Sequence, residues 1–147
     1  MNISVRYQSR GGNTRAVAEV IAQTLGVNAE PLAYSLSEYT DVLFLGGGVY
    51  KWDADPELKA FLEKMQPSQI GQIVAFSTAG GMKITLKRIV EAAKKAGIPV
   101  YPNQLYMPLL LQGHTGIGRE GAHLTPEQEQ TVSAFTLKVA SDLNLLS

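Results

Sequence analysis

Hydrophobic positions along this chain recur with two alternating periods. Compact runs rich in Val, Ile, Leu and aromatic residues at 2–7, 27–32, 41–45 and 73–76 predict β-strands. Between them lie segments whose apolar residues return at helical spacing. Val17, Val20, Ile21 and Leu25 predict a helix over 14–25, stopped by Gly26. Leu58, Phe61, Leu62 and Met65 form an i, i+3, i+4, i+7 stripe, and Asp55-Pro56-Glu57 supplies the cap, first-turn proline and early acid that open a helix. A third helix has Leu86, Ile89, Val90 and Ala93 inward and ends at Gly97 and Pro99, with Lys94-Lys95 suited to its negative pole. Residues 100–111 are apolar and extended but carry Pro102 and Pro108, which predicts a sheet edge. Thr125-Pro126-Glu127-Gln128 has capping-box spacing for a last helix whose buried side is Val132, Phe135, Val139 and Leu143.

The strands differ in their surroundings. Val42-Leu43-Phe44-Leu45 and Ile73-Val74-Ala75-Phe76 are unbroken apolar runs, the pattern of strands covered on both faces. The first strand alternates instead, with Asn2, Ser4 and Arg6 between Ile3, Val5 and Tyr7, which predicts one wet face. The connection 33–40 is short for a crossover helix, so a stunted helix would leave that face open, and a partner chain in a homodimer is one way to cover it. Tyr34 and Tyr39 are expected to pack within this connection.

Strands alternating with helices across short connections predict an α/β fold: a three-layer, doubly wound, five-stranded parallel sheet, in a single domain spanning 1–147. Such sheets bind ligands beyond the carboxyl ends of their strands. Three loops leave those ends here. The first, Ser9-Arg10-Gly11-Gly12-Asn13-Thr14, joins strand directly to helix through small and hydroxyl residues. Uncovered amides and the helix dipole both favour an anion there, so a phosphate is expected. The second runs Gly46-Gly47-Gly48-Val49-Tyr50-Lys51-Trp52, two large aromatics after a flexible triple glycine. The third, Ser77-Thr78-Ala79-Gly80-Gly81, offers hydroxyls and backbone donors. A phosphate cradle, aromatic walls and backbone donors together suit a planar heteroaromatic phosphate.

Composition removes several alternatives. Hydrophobic residues make up 45% and charged residues 18%, enough apolar surface for a core and too little charge for disorder. Thirteen basic and 13 acidic residues leave a formal net charge of zero, so no long-range field recommends nucleic acid or an anionic membrane. The absence of cysteine excludes disulfides, thiolate metal sites and thiol catalysis. No apolar run approaches the roughly 20 residues of a membrane span, and no secretory leader precedes the first strand, so a cytoplasmic protein is expected. His114 and His123 stand in a polar loop without a carboxylate cluster, and no metal is assigned. No nucleophile–base pair or carboxylate dyad is evident, and no catalytic residue is named.

With these residues in view, the chain resembles the flavodoxin family. The segment Ser9-Arg10-Gly11-Gly12-Asn13-Thr14 is similar to that family's phosphate loop, Thr/Ser-x-Thr-Gly-x-Thr. Asp41-Val42-Leu43-Phe44-Leu45-Gly46-Gly47-Gly48-Val49-Tyr50 is similar to the strand ending in Gly-Ser-Pro-x-Tyr, and residues 73–81 take the place of the third flavin loop. The resemblance implies the short-chain flavodoxin-like fold, strand order 2-1-3-4-5, and noncovalent FMN. By that resemblance Ser9, Asn13 and Thr14 bond phosphate oxygens, with Arg10, Gly11 and Gly12 in the same loop. Gly48 and Val49 adjoin the cofactor, Tyr50 or Trp52 flanks its ring, and Ser77, Thr78, Ala79, Gly80 and Gly81 meet its polar edge. The chain departs from the pattern at Gly11, where a hydroxyl residue is usual, at Gly48, where proline is usual, and in a third loop without an aromatic, where Met82 is a substitute. Its neutral charge also differs from the acidic norm of the family.

Three readings follow from the resemblance. The first is an FMN-binding protein of electron transfer, serving a redox partner protein or a small-molecule acceptor. The second is an FMN-dependent NAD(P)H:quinone-type oxidoreductase on the same fold, and the third a degenerate domain that binds no flavin. A phospho-receiver of similar topology is excluded, because it needs an acidic pair after the first strand and an aspartate ending the third. Gln8-Ser9 and Gly46-Gly47 stand there instead.

Overall fold

The computed structural model describes residues 1–79, 83–109 and 124–146. Its elements run β1 (Ile3–Tyr7), α1 (Asn13–Leu25), β2 (Ala29–Pro31), β3 (Val42–Gly47), β4 (Val49–Tyr50), β5 (Asp53–Ala54), α2 (Pro56–Lys64), β6 (Ile73–Ser77), α3 (Ile84–Ala96), β7 (Leu105–Tyr106) and α4 (Pro126–Leu143). The main sheet has the order β2-β1-β3-β6-β7 with every pairing parallel. Counted without the small β4–β5 hairpin, this is the 2-1-3-4-5 arrangement expected from the sequence.

The period-2 geometry of the strands divides the core in two. Val5, Tyr7, Phe44, Val74 and Phe76 point to the side covered by α1 and α4, where they meet Val17, Ile21, Val132 and Val139. Leu43, Leu45, Ile73 and Ala75 point the other way, to Leu58 and Leu62 of α2 and Leu86, Ile89 and Ala93 of α3. Full burial of each of these larger side chains contributes about 1.5–3 kcal/mol. The helix signals act as their chemistry requires. Gly26 and Gly97 end α1 and α3 in the left-handed conformation, the Asp55 carboxylate caps α2 through the Glu57 amide, and Thr125 with Gln128 forms the capping box of α4.

No helix lies between β2 and β3; residues 33–40 cross as a loop. The polar positions of β1 hold that loop down. The Asn2 side-chain amide donates to the Tyr39 carbonyl (2.9 Å), Arg6 Nε donates to the Tyr34 carbonyl (3.0 Å), and the hydroxyls of Ser4 and Thr40 stand 3.5 Å apart. Half-burial of Arg6 lowers its pKa, and Glu30 partly offsets this. The chain's own loop thus covers part of the wet face. Tyr34 and Tyr39, expected to pack, are 58% and 47% exposed, because a loop offers no second layer to cover them.

Three further expectations are corrected. The second strand is shorter than 27–32 and runs from Ala29 to Pro31, with a last bond to β1 from the Leu32 amide to the Tyr7 carbonyl (3.0 Å) before the chain turns. Val90, Phe135 and Leu143 are only half-buried, although Phe135 and Leu143 still pack against the core, and Thr85 and Thr136 are fully buried beside Ile89, Val132 and Val139. Buried Thr136 satisfies its hydroxyl by donating to the Val132 carbonyl (2.8 Å). Gly46 and Gly47 are not a flexible loop but the buried end of β3. A methyl group on Gly46 would overlap the Phe76 ring, and one on Gly47 would lie 2.7 Å from Leu58 Cδ2. Gly46→Ala is therefore expected to destabilise the fold by about 1–3 kcal/mol through overpacking, read as a lower urea midpoint with an unchanged m-value.

Candidate functional site

Because β1, β3 and β6 are parallel neighbours, the chain leaves all three at the same sheet edge. Polar bonds then draw the three exits together. The loop after β1 reaches the loop after β3 through buried Gln8, whose Oε1 accepts from the Gly48 amide (3.2 Å). It reaches the loop after β6 through a buried hydroxyl pair, Thr14 and Thr78, 2.8 Å apart. Ser77 donates to the Gly47 carbonyl (3.1 Å), and Thr85 at the start of α3 donates to the Gly48 carbonyl (2.9 Å).

At their junction is a cleft of about 210 Å³, lined by Gln8, Ser9, Arg10, Gly11, Asn13, Thr14, Gly48, Val49 and Thr78. The first turn of α1 opens onto it. Gly12 takes the cap position at φ 93°, a conformation for which glycine is suited, and no side chain caps this helix. The Ser9 hydroxyl accepts from the Gly12 amide (3.1 Å) and so shapes the turn. Asn13 Nδ2 donates to the Leu109 carbonyl (2.9 Å), whereas Asn13 Oδ1 is buried without a hydrogen-bond partner among the described residues. A buried, unpaired oxygen is costly and calls for a donor. The polar set is therefore a helix N-terminus, the three hydroxyls of Ser9, Thr14 and Thr78, and a side-chain amide with a vacant acceptor, which fits a phosphate ester bearing hydroxyl groups.

The remaining residues named from the sequence are distributed around this cleft. Gly12 shapes its floor without lining it. Ser77 ends β6 beneath the third loop, and Ala79 donates its amide to the Ser77 hydroxyl (3.3 Å). Gly80, Gly81 and Met82 lie outside the described residues, as do His114 and His123. The second loop is a β-hairpin, with Val49 paired to Ala54 and Tyr50 to Asp53. Tyr50 stands beside the cleft with the Arg10 guanidinium 4.1 Å above its ring centroid. Trp52 is at the hairpin tip, 83% exposed and away from the cleft lining.

Arg10 of the first loop is engaged within the chain. Its Nε donates to the Asp55 carboxylate, and the guanidinium stacks on Tyr50. The hydrogen bond to Asp55 raises the Arg10 pKa. Asp55 is buried and caps α2 through the Glu57 amide (2.9 Å), so one carboxylate ties the loop after β1, the hairpin and α2 together. The sequence marked Asp55 only as a cap and passed over Gln8 and Thr85. An alternating Gln one residue beyond an apolar strand is the one signal that pointed to Gln8.

Comparison with known proteins places this arrangement in the class of doubly wound, flavodoxin-like α/β folds. The model of the flavodoxin domain matches residues 4–104, more than half of the chain. The chain belongs to the flavodoxin family. A flavodoxin from the domain Archaea superposes with a TM-score of 0.76 at 17% identity, covering 98% of this chain and 99% of that one. Oxidised Flavodoxin 2 from Bacillus cereus gives 0.70 at 18% identity, covering 97% and 99%. The Flv1 flavodiiron core from Synechocystis gives 0.72 at 14% identity, with 98% of this chain covering 36% of that longer one. These structural likenesses concern the fold. No curated protein sequence matches this chain. No described helix is long and apolar enough to cross a membrane, and no metal-binding cluster occurs among the described residues.

Behind the hairpin, Asp53 accepts from the Ala54 amide (2.7 Å), Arg88 Nε (3.0 Å) and Lys59 Nζ (3.2 Å). The amide bond first, then the two cations, hold its carboxyl at about 2, below the ordinary 3.8. A depressed folded-state pKa stabilises the fold above the ordinary value, and that stabilisation is lost as pH falls from 3.8 toward 2. Asp53→Asn is therefore expected to flatten the loss of stability in this window, measured as the urea midpoint against pH.

Proposed function

We propose that the chain is a single flavodoxin-like domain that binds FMN noncovalently and serves electron transfer to a redox partner protein or small-molecule acceptor. The observation that carries this reading is the cleft where the loops after β1, β3 and β6 converge on an uncapped helix N-terminus beside a buried, unpaired Asn13 oxygen. Family membership supports it, since flavodoxins bind a flavin, usually FMN, and pass electrons to partner proteins.

In this reading Ser9, Thr14 and the amides of the loop 10–14 other than that of Gly12, which is given to Ser9, hold the phosphate. Asn13 Oδ1 accepts from a ribityl hydroxyl, which would satisfy the orphaned atom. Gly48 and Val49 border the chain of the cofactor, Tyr50 walls one ring face, and Thr78, Ala79 and the following glycines adjoin the polar edge. Gly11 withholds a side-chain donor, so more of the phosphate binding falls on Thr14. FMN supplies the electron-accepting chemistry when bound; the protein binds, orients and electrostatically tunes it. Arg10 has a second part. Fixed by Asp55 above Tyr50, it places a cation next to the ring wall, which favours negative charge on a reduced flavin.

The test is flavin titration of the purified protein, followed by absorbance and fluorescence quenching. FMN is expected to bind and riboflavin, which lacks the phosphate, to bind far more weakly. Failure of both FMN and FAD to bind would end this reading. Thr14→Val removes a hydroxyl from a charged acceptor, worth about 1.5–3 kcal/mol, and is expected to weaken FMN about 10- to 100-fold while far-UV circular dichroism stays unchanged.

A further inference from the structure

Because no helix joins β2 to β3, the start of the loop 33–40 and helix α2 face each other across a trough of about 490 Å³. It shares no residue with the cleft at the ligand edge. Its floor is apolar: Leu32, Met65 and Ile70 are buried there, and Leu36 and Phe61 are half-buried against the same core. One wall is a stripe of α2 made of Glu57, Ala60, Phe61 and Lys64. These four stand at i, i+3, i+4 and i+7 and so share one face of the helix. All but Phe61 are exposed.

The stripe has a sign pattern as well as an apolar centre. Glu57 is in the first turn of α2 and Lys64 in the last. The rise of a helix puts them about 10 Å apart, too far to pair with each other. Among the described residues neither takes part in an ion pair. Arg10, within electrostatic reach of Glu57, is bonded to Asp55. Turned end for end, the stripe presents a cation where it presented an anion and an anion where it presented a cation, with Ala60 and Phe61 at the midpoint. It is therefore complementary to itself about a two-fold axis, which is what an isologous interface requires. Antiparallel helices also set opposite ends of their dipoles side by side. With a formal net charge of zero, no long-range repulsion keeps two copies of the chain apart.

We propose that the trough and the α2 stripe form a two-fold interface between two copies of this chain, α2 of each lying antiparallel along the other. Glu57 of each copy meets Lys64 of the other, the small Ala60 lets the helices approach at the centre, and Phe61 and Leu36 gain apolar cover. Helix α2 has only nine residues, so the interface is small and the dimer forms and separates with concentration. The homodimer that the sequence allowed over the first strand would thus form on α2 instead. It takes no residue from the cleft and does not rest on the flavin reading.

Sedimentation equilibrium of the protein without added flavin, from about 1 μM to about 1 mM, tests this. The wild-type chain is expected to pass from monomer to dimer within that range. Lys64→Glu leaves the stripe with two acids and Glu57→Lys leaves it with two bases, so each variant alone should dimerise about tenfold more weakly. The double exchange Glu57→Lys, Lys64→Glu restores complementarity and should recover most of the loss. An equimolar mixture of the two single variants should associate more tightly than either alone, because each charge then opposes one of the other sign. That recovery separates pairing across the interface from damage to the fold, which far-UV circular dichroism checks in each variant. Lys94→Glu on α3, outside the trough, should leave association unchanged. A monomer throughout the range, single variants that dimerise as the wild type does, or a mixture no tighter than its components would each overturn the proposal. A wild-type monomer that binds anilinonaphthalene sulfonate, with the binding lost in Phe61→Ala, would overturn it in favour of a small apolar occupant. Failure of FMN to bind would concern the cleft and leave this result standing.

Discussion

The close approach of β3 to its neighbours is the constraint on which the rest of the molecule depends. Gly46 and Gly47 continue the central strand past its apolar run because Phe76 fills the space above one and Leu58 the space above the other. Side chains at those two positions would push the layers apart just where the strand reaches the ligand edge of the sheet. With none present, β1, β3 and β6 end side by side, and the backbone at Gly48 comes within reach of Gln8, Thr85 and the first turn of α1.

From that junction outward, polar bonds take over from packing. The loops contain few apolar residues to bury, so their positions are set by Gln8 on Gly48, Thr14 on Thr78, Ser77 on Gly47 and Asp55 on Arg10. Apart from the exposed Arg10, each of these groups is buried or half-buried, and an unmade bond at a buried one costs about 1–3 kcal/mol. The cleft is thus held open by its own hydrogen bonds, and the exception among the described residues, buried Asn13 Oδ1, belongs to a residue that lines it. The same logic extends to the rim, where Asp53 secures a hairpin that its own turn residues disfavour.

A different solution operates at the opposite end of the sheet. The crossover between β2 and β3 lacks a helix, and the face it would have covered carries Ser4 and Arg6 in place of the leucines found at the same level of β3. These polar groups bond to the loop that replaces the helix, so side chains compensate for part of a missing layer. The alternation of Asn2, Ser4 and Arg6 in the sequence is the imprint of that substitution.

Much of this molecule was decided within short windows of sequence. The helices, their caps at Asp55 and Thr125 and their stops at Gly26 and Gly97 follow from local spacing and backbone preference, and the parallel sheet follows from strands alternating with helices. The three loops of the cleft were also legible, because a ligand edge is where all three strands must end. The tertiary structure alone decided the partners of side chains that no spacing relates. Arg10 meets Asp55 across 45 positions and Thr14 meets Thr78 across 64, so neither pairing has a local signature. It decided likewise that two glycines read as a flexible loop are the rigid end of a strand, and that Tyr50 stays by the cleft while Trp52 turns to solvent. Local pattern sets which elements form; which side chains meet at their ends depends on the packing of the whole sheet.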